Sequence, residues 1–164
     1  MTPLDEELRA IGLVVFDFDG VFTDNRVWVS ETGEESVACW RGDGIGLRRL
    51  DAVRVPYVIV STEPNPIVAR RAEKLRARCV HDVPDKLAVL HEEANRAGIE
   101  LGVVAYVGND VNDASCLEAV GLPIVPADAW PEVVPLARWV LNTPGGRGCV
   151  RQVCDAIWHA RAMT

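Results

Sequence analysis

The chain has 164 residues, 49% of them hydrophobic and 25% charged, with a formal net charge of -7. A chain of that length buries on the order of 70% of its unfolded surface in one core, so a single domain over residues 1–164 is expected. The acidic balance disfavours nonspecific binding to nucleic acid or anionic membranes, and no apolar run approaches the roughly 20 residues needed to span a bilayer.

The N-terminus, Met1-Thr2-Pro3-Leu4-Asp5-Glu6-Glu7, carries acids where a secretory signal has a basic segment and a long apolar one. Cytoplasmic placement is expected. Cys39, Cys79, Cys116, Cys149 and Cys154 make an odd count without a C-x-x-C pair, which argues against a zinc site and a disulfide framework. His81, His91 and His159 are far apart and read as structural or surface residues.

The first predicted strand runs from Leu13 to Phe16. Its nearly continuous apolar character fits a strand covered on both faces, as in a parallel sheet. Asp17 and Asp19 follow, spaced i, i+2, so extended backbone sends both carboxylates to one side and Phe16 and Phe18 to the other. Paired like charges are costly unless a cation or a shared proton lies between them, and Gly20 permits a sharp turn beyond them. A strand end with two solvated acids is the plain alternative.

Residues 25–41 alternate around Thr32-Gly33 and read as a β-hairpin, with Val27, Val29, Val37 and Cys39 on one face and Trp28, Ala38 and Trp40 on the other. With apolar groups on both faces, the hairpin either folds over its own domain or is covered on one side by a second protein surface. Asp43-Gly44 opens a helix carrying Leu47, Leu50 and Val53, and Val55 to Val60 form a strand that ends at Ser61-Thr62-Glu63. Asn65-Pro66 starts a helix with a capping amide followed by a proline at the first helical position. Val68, Ala72 and Leu75 supply its buried stripe, and Arg71 and Lys74 share a different face.

After a short strand at Cys79-Val80, Asp85 caps a helix with Leu87, Leu90, Ala94 and Ala97 at helical spacing and Gly98 as its stop. Lys86 sits in the first turn, where the helix dipole disfavours a cation, so an anionic partner is expected. Gly102 to Val107 form the next strand, ending at Gly108-Asn109-Asp110-Val111-Asn112-Asp113. Leu122 to Val125, a short helix near 131–137 and Arg138 to Leu141 continue the alternation. A glycine-rich turn at 144–148 precedes a last helix with Val150, Val153, Cys154, Ile157 and Trp158 on one stripe.

Strands alternating with helices predict an α/β fold, a doubly wound Rossmann-like parallel sheet with a hairpin insertion and no large cap domain. In such folds ligands gather beyond the carboxyl ends of the strands, where Asp17, Asp19, Ser61, Lys86 and Asn109 to Asp113 converge. An oxygen-rich site of this kind suits Mg²⁺. A hydroxyl and a lysine beside it suit a phosphoryl group, with one aspartate attacking phosphorus and another protonating the leaving oxygen.

The segment Asp17-Phe18-Asp19-Gly20-Val21-Phe22-Thr23-Asp24 resembles the first motif of the haloacid dehalogenase superfamily, in the form carried by its sugar-acid phosphatases. Ser61, Lys86 and Gly108 to Asp113 resemble the later motifs in order, and the likeness covers nearly the whole chain. It is similar to 3-deoxy-octulosonate 8-phosphate phosphatases, nonulosonate 9-phosphate phosphatases and the C-terminal domain of acylneuraminate cytidylyltransferases. The resemblance implies Asp17 as nucleophile and Mg²⁺ ligand, Asp19 as general acid and base with its carbonyl on the metal, and Ser61 and Lys86 as phosphate holders.

The group commonly has aspartate where this chain has Asn109. A neutral amide still ligates Mg²⁺, and Asp110 or Asp113 makes up the charge directly or through water. Ser61-Thr62-Glu63 with Arg71 and Lys74 looks nearer to the nonulosonate branch, where a Glu and a basic pair contact the sugar acid. The group's members are tetramers whose hairpins close a neighbour's site, implying a homotetramer here. A response-regulator receiver has similar chemistry, but its phosphorylated aspartate lies near mid-chain, ahead of the hydroxyl residue. The remaining rival is a phosphatase-derived, non-catalytic oligomerisation or regulatory module.

Overall fold

The chain alternates between short, wholly apolar strands and helices with one apolar stripe, and this pattern builds three layers. The computed structural model describes Pro3 and residues 5–162; the part of the N-terminal reading that falls on Met1, Thr2 and Leu4 lies outside them. In chain order the elements are α1 (Asp5–Ala10), β1 (Leu13–Phe16), β2 (Trp28–Val29), β3 (Glu35–Ser36), α2 (Asp43–Ala52), β4 (Tyr57–Val60), α3 (Ile67–Leu75) and β5 (Arg78–Val80). Then follow α4 (Lys86–Ala97), β6 (Val104–Val107), α5 (Ala114–Ala119), β7 (Leu122–Val125), β8 (Trp139–Val140) and α6 (Cys149–Ala162).

Six strands form a parallel sheet in the order β5-β4-β1-β6-β7-β8. The chain winds outward from β1 in one direction and then, from β6, in the other. This places a topological switch point between β1 and β6, where open α/β sheets hold their ligands. Phe16 is in register with Ile59 of β4 and Val107 of β6, so the residues after these strands emerge side by side.

The period-2 alternation of each strand separates two cores. Val14, Phe16, Ile59, Ala105 and Val107 face one cluster, closed by Leu47 and Leu50 of α2, Val68 and Ala72 of α3, and Val150, Val153 and Ile157 of α6. Leu13, Val15, Val58, Val60, Val104 and Tyr106 face the other, closed by Leu90 and Ala94 of α4 and Cys116 and Leu117 of α5. Each large aliphatic side chain removed from water in this way contributes roughly 1.5–3 kcal/mol. The Rossmann-like reading, the hairpin insertion and the lack of a large cap all hold.

Several local expectations shift. Neither α1 nor α5 carries a pattern long enough to announce itself, since each has six residues. The strand expected from Gly102 begins at Val104, after a 3-10 turn at Leu101–Val103. The short helix near 131–137 contracts to a 3-10 turn at Val134–Leu136, because Pro131 and Pro135 lack the amides an α-helix needs. Ala97 is exposed, and buried Glu93 takes a place near that end of α4, held by Arg78 at 2.7 Å and Arg96 at 2.6 Å.

In the hairpin, Trp28 pairs with Ser36 and Val29 with Glu35. Val37 and Cys39 of the return arm are half-buried and pack on the first core. Trp28 and Val29 remain 70% and 65% exposed. The chain therefore covers one part of the hairpin and leaves its most apolar part in water.

Candidate active site

Asp17 is the first residue beyond β1, and its amide donates to the Val107 carbonyl at 2.9 Å, extending the ladder by one step. The Ser61 amide does the same for β4, donating to the Val80 carbonyl at 3.0 Å, and that of Gly108 extends β6 toward Ile124 at 3.1 Å. Each site segment thus leaves the sheet with its backbone already fixed. Asp17 is 4% exposed.

Lys86 reaches Asp17 from the start of α4. Asp85 accepts from the amides of Leu87 and Ala88 and so caps that end of the helix. The Lys86 ammonium, itself 3% exposed, lies 2.8 Å from Asp17 Oδ1 and 2.7 Å from Asp113 Oδ1. These are the anionic partners that a lysine at a helix N-terminus calls for. Burial alone would pull the lysine down, but the two carboxylates outweigh it and hold the ammonium above its ordinary value. Asp17 is pushed up from the ordinary carboxylate range by burial and then by the nearby Asp113 charge, against the pull of Lys86.

Asp113 is wholly buried and anchors the loop after β6. Its Oδ2 accepts from the amides of Asn109 at 2.9 Å and Asp110 at 3.3 Å, and its Oδ1 accepts from the Tyr106 hydroxyl at 2.7 Å as well as from Lys86. Gly108 is required here, because a Cβ would lie 2.5 Å from the Asp113 carboxyl carbon. With four donors on two oxygens, Asp113 holds side chains and is not available to ligate a metal directly. The Asp110 carboxylate turns onto the amide of Val111 at 2.7 Å, capping the 3-10 turn Val111–Asp113.

Asp19 stands in a wetter place, half-buried. Its Oδ1 accepts from Thr23 Oγ1 at 3.4 Å, and Thr23 Oγ1 accepts in turn from the amides of Gly20 and Asn25. Burial and the Glu63 charge push its carboxyl up. The turn is clasped from outside by the glycine-rich segment, where the Gly146 amide donates to the Val21 carbonyl at 3.0 Å and a Cβ at Gly145 would collide with the Gly20 carbonyl.

Beside the Asp17 carboxylate, two features fit an oxygen-seeking divalent cation. The Asn109 side chain is buried, is hydrogen-bonded to no described residue, and lies so close to Gly20 that a Cβ there would collide with its amide. The Asp19 carbonyl likewise accepts no hydrogen bond from a described residue. A carboxylate, an amide oxygen and a main-chain carbonyl are the hard donors Mg²⁺ takes, with water completing its shell. Among the described residues no group of three His, Cys, Asp or Glu side chains is placed to hold a metal ion.

Over 152 residues the chain is 34% identical to 3-deoxy-D-manno-octulosonate 8-phosphate phosphatase of Yersinia pestis, covering 92% of this chain and 81% of that one. A HAD-family hydrolase structure from Streptomyces avermitilis matches with a TM-score of 0.89 at 40% identity, over 95% of this chain and 88% of that one. The chain belongs to the haloacid dehalogenase superfamily, in its sugar-acid phosphatase group. A 3-deoxy-D-manno-octulosonate 8-phosphate phosphatase from Moraxella catarrhalis, solved with magnesium, phosphate and KDO, matches with a TM-score of 0.91 at 28% identity, over 96% and 91%. No family model matches the chain.

For a haloacid dehalogenase, the remaining residues read from sequence fall into two groups. Ser61 is buried and its Oγ accepts from the Glu63 amide at 3.1 Å; Glu63 accepts from the Asn65 amide at 3.0 Å, while Thr62 is exposed. Arg71 and Lys74 lie farther out, lining a groove of about 630 Å³ together with Arg41, Arg48 and Arg70. Arg71 is tied down, donating from Nη2 to the Trp40 carbonyl at 3.0 Å. Sequence reading missed two participants. Glu35 of the hairpin accepts from Asn65 Nδ2 at 2.7 Å and links β3 to the loop after β4. Tyr106, read only as an apolar strand residue, carries its hydroxyl to Asp113; its one signal is a phenol within an aliphatic strand, two residues before Gly108.

Proposed function

We propose that the protein hydrolyses a sugar-acid phosphate, of the nonulosonate 9-phosphate or 3-deoxy-octulosonate 8-phosphate type, with Mg²⁺ and through an aspartyl phosphate on Asp17. The observation that carries the reading is the buried Lys86 held 2.8 Å from the Asp17 carboxylate at the switch point of the sheet. Asp17, the Asp19 carbonyl and Asn109 would hold the cation, which supplies charge to neutralise the carboxylate and the phosphoryl oxygens.

In the first step an Asp17 carboxylate oxygen bonds to phosphorus as the bond to the sugar oxygen breaks, and Asp19 gives its proton to that oxygen. The upward push on the Asp19 carboxyl favours the protonated form that this step uses. In the second step Asp19 takes a proton from water, whose oxygen attacks phosphorus, releasing phosphate and restoring Asp17. Lys86 offsets the charge on the equatorial oxygens. Ser61 Oγ accepts from the Glu63 amide, which leaves its own proton free for a phosphate oxygen.

The basic groove supports a substrate with an anionic end remote from the phosphate. Val37 and Ile67 line both this groove and a small cavity lined by Asp19 and Glu63, so the two lie side by side. Thr62 and Glu63 would meet the sugar hydroxyls, and Arg71 and Lys74 its carboxylate. We also read the chain as one hydrolase domain that assembles as a homotetramer, supported by the exposed Trp28 and Val29. Five free cysteines support a reducing cytoplasm.

Phosphate release from octulosonate 8-phosphate, a nonulosonate 9-phosphate and para-nitrophenyl phosphate, with Mg²⁺ and with chelator, tests the reading. The expected result is metal-dependent turnover, with kcat/KM for one sugar acid at least about 100-fold above the generic ester. No turnover of any ester with Mg²⁺ present would leave the non-catalytic module, which Asn109 favours.

A further inference from the structure

We propose that Tyr106 is a positioning residue for the phosphoryl-transfer step, acting through Asp113 on Lys86; this rests on the phosphatase reading above. Tyr106 and Lys86 donate to the same oxygen, Asp113 Oδ1, each at 2.7 Å. The other oxygen is occupied by the amides of Asn109 and Asp110. The carboxylate therefore cannot rotate without breaking a bond to the loop, and Lys86 is fixed in place with it.

Sharing one oxygen has an electrostatic consequence. An ammonium has three protons; here one goes to Asp17 and one to Asp113, leaving one for an incoming phosphate oxygen. A phenol donating to Asp113 Oδ1 draws off part of that carboxylate's charge, which weakens its hold on Lys86 and directs more of the ammonium's field toward Asp17. Without the phenol, the full charge of Oδ1 falls on Lys86 and draws it away from the reacting group. Tyr106 is wholly buried in the core between β6, α4 and α5, and Phe fills the same space, so the hydroxyl can be removed without a cavity.

The transition state gains charge on the oxygens that Lys86 faces, so the loss is expected in kcat and not in KM. Tyr106→Phe should lower kcat about tenfold with KM within twofold, and should weaken inhibition by vanadate, a transition-state mimic, by the same factor while leaving inhibition by inorganic phosphate unchanged. In a double-mutant cycle, adding Tyr106→Phe to Lys86→Met should lower kcat no further. A kcat within twofold of wild type, or effects that multiply in the cycle, would overturn the inference.

A spectroscopic test keeps Tyr106 in place and does not need the Tyr106→Phe variant. Tyr57 and Tyr106 are the chain's two tyrosines. In a Tyr57→Phe background, biosynthetic fluorotyrosine reports on Tyr106 alone, and its ¹⁹F resonance should shift when vanadate and Mg²⁺ are added to the active protein. A resonance that stays fixed at saturating vanadate would mean a purely structural phenol. Wild-type turnover separates the two levels: if it is absent, the phosphatase reading falls and takes this inference with it, whereas turnover with an unaffected Tyr106→Phe variant rejects the inference alone.

Discussion

Lys86 is 3% exposed and lies within 2.8 Å of two carboxylates, while Trp28, 58 residues earlier, is 70% exposed. The strand-end cluster satisfies its buried charges within one chain, through bonds from β6, α4 and the loop after β6. The hairpin gives its most apolar residues to water and is tied back through Glu35 to Asn65 and through Val37 and Cys39 to the core. Chemistry that needs fixed charges is built where the sheet over-determines them. The element with unspent apolar surface is the one that a single chain leaves unfinished.

The comparison breaks most sharply at Asp17. Asp17→Asn should lower kcat by at least about 10³ with the melting temperature moved by no more than about 3 °C; retained activity would remove the nucleophile from the site. Asp113→Ala should strike the fold as well. It strips four donors of their acceptor, and an unfolding free energy reduced by about 3–5 kcal/mol is expected from urea titration. A loss under 1 kcal/mol would mean that the cluster is not over-determined.

Asp43 sharpens the contrast, because it is a buried acid outside the cluster that is incompletely served. Its Oδ1 accepts from the Arg151 amide at 3.2 Å, but its Oδ2 is buried with no partner. Burial pushes it up to about 7, against the Arg151 amide and the Arg71 and Arg151 charges, with Cys39, Cys149 and Cys154 as its titratable neighbours. The unfolded chain releases this proton near pH 4 and the folded chain near 7, so stability is greatest below pH 4, falls across that window and is flat above it. The difference is on the order of 4 kcal/mol. Asp43→Asn should make the fall of melting temperature between pH 4 and 7 shallower, Asp17 and Asp19 keeping part of it, and parallel curves for the two proteins would refute the assignment.

Smaller effects probe each region alone. Asn109→Asp adds a negative charge beside Asp17 and should tighten Mg²⁺ by roughly tenfold in calorimetry; unchanged affinity would place Asn109 outside the metal's shell. In the hairpin, Trp28→Ser with Val29→Ser should leave unfolding free energy within about 0.5 kcal/mol while sedimentation velocity moves to a smaller species. An unchanged sedimentation coefficient would assign those side chains no part in assembly.

The local rules of the chain already placed Asp17, Asp19, Ser61 and Lys86 at the ends of apolar strands or the start of a capped helix, and even required an anion for Lys86. Such features are legible because they depend on neighbours within a turn or a strand. The identity of that anion was not legible. Asp113 lies 27 residues from Lys86, and only the sheet order, which sets β6 beside β1 and α4 over the same face, brings it there. The same holds for Tyr106, whose hydroxyl has meaning only once Asp113 folds back onto its strand, and for Glu35, which meets Asn65 across 30 residues. Sequence determined which residues could carry the chemistry, through alternation and capping. Tertiary structure decided which of them are held and by what, because a hydrogen bond between distant residues is fixed by register and strand order, which no local pattern encodes.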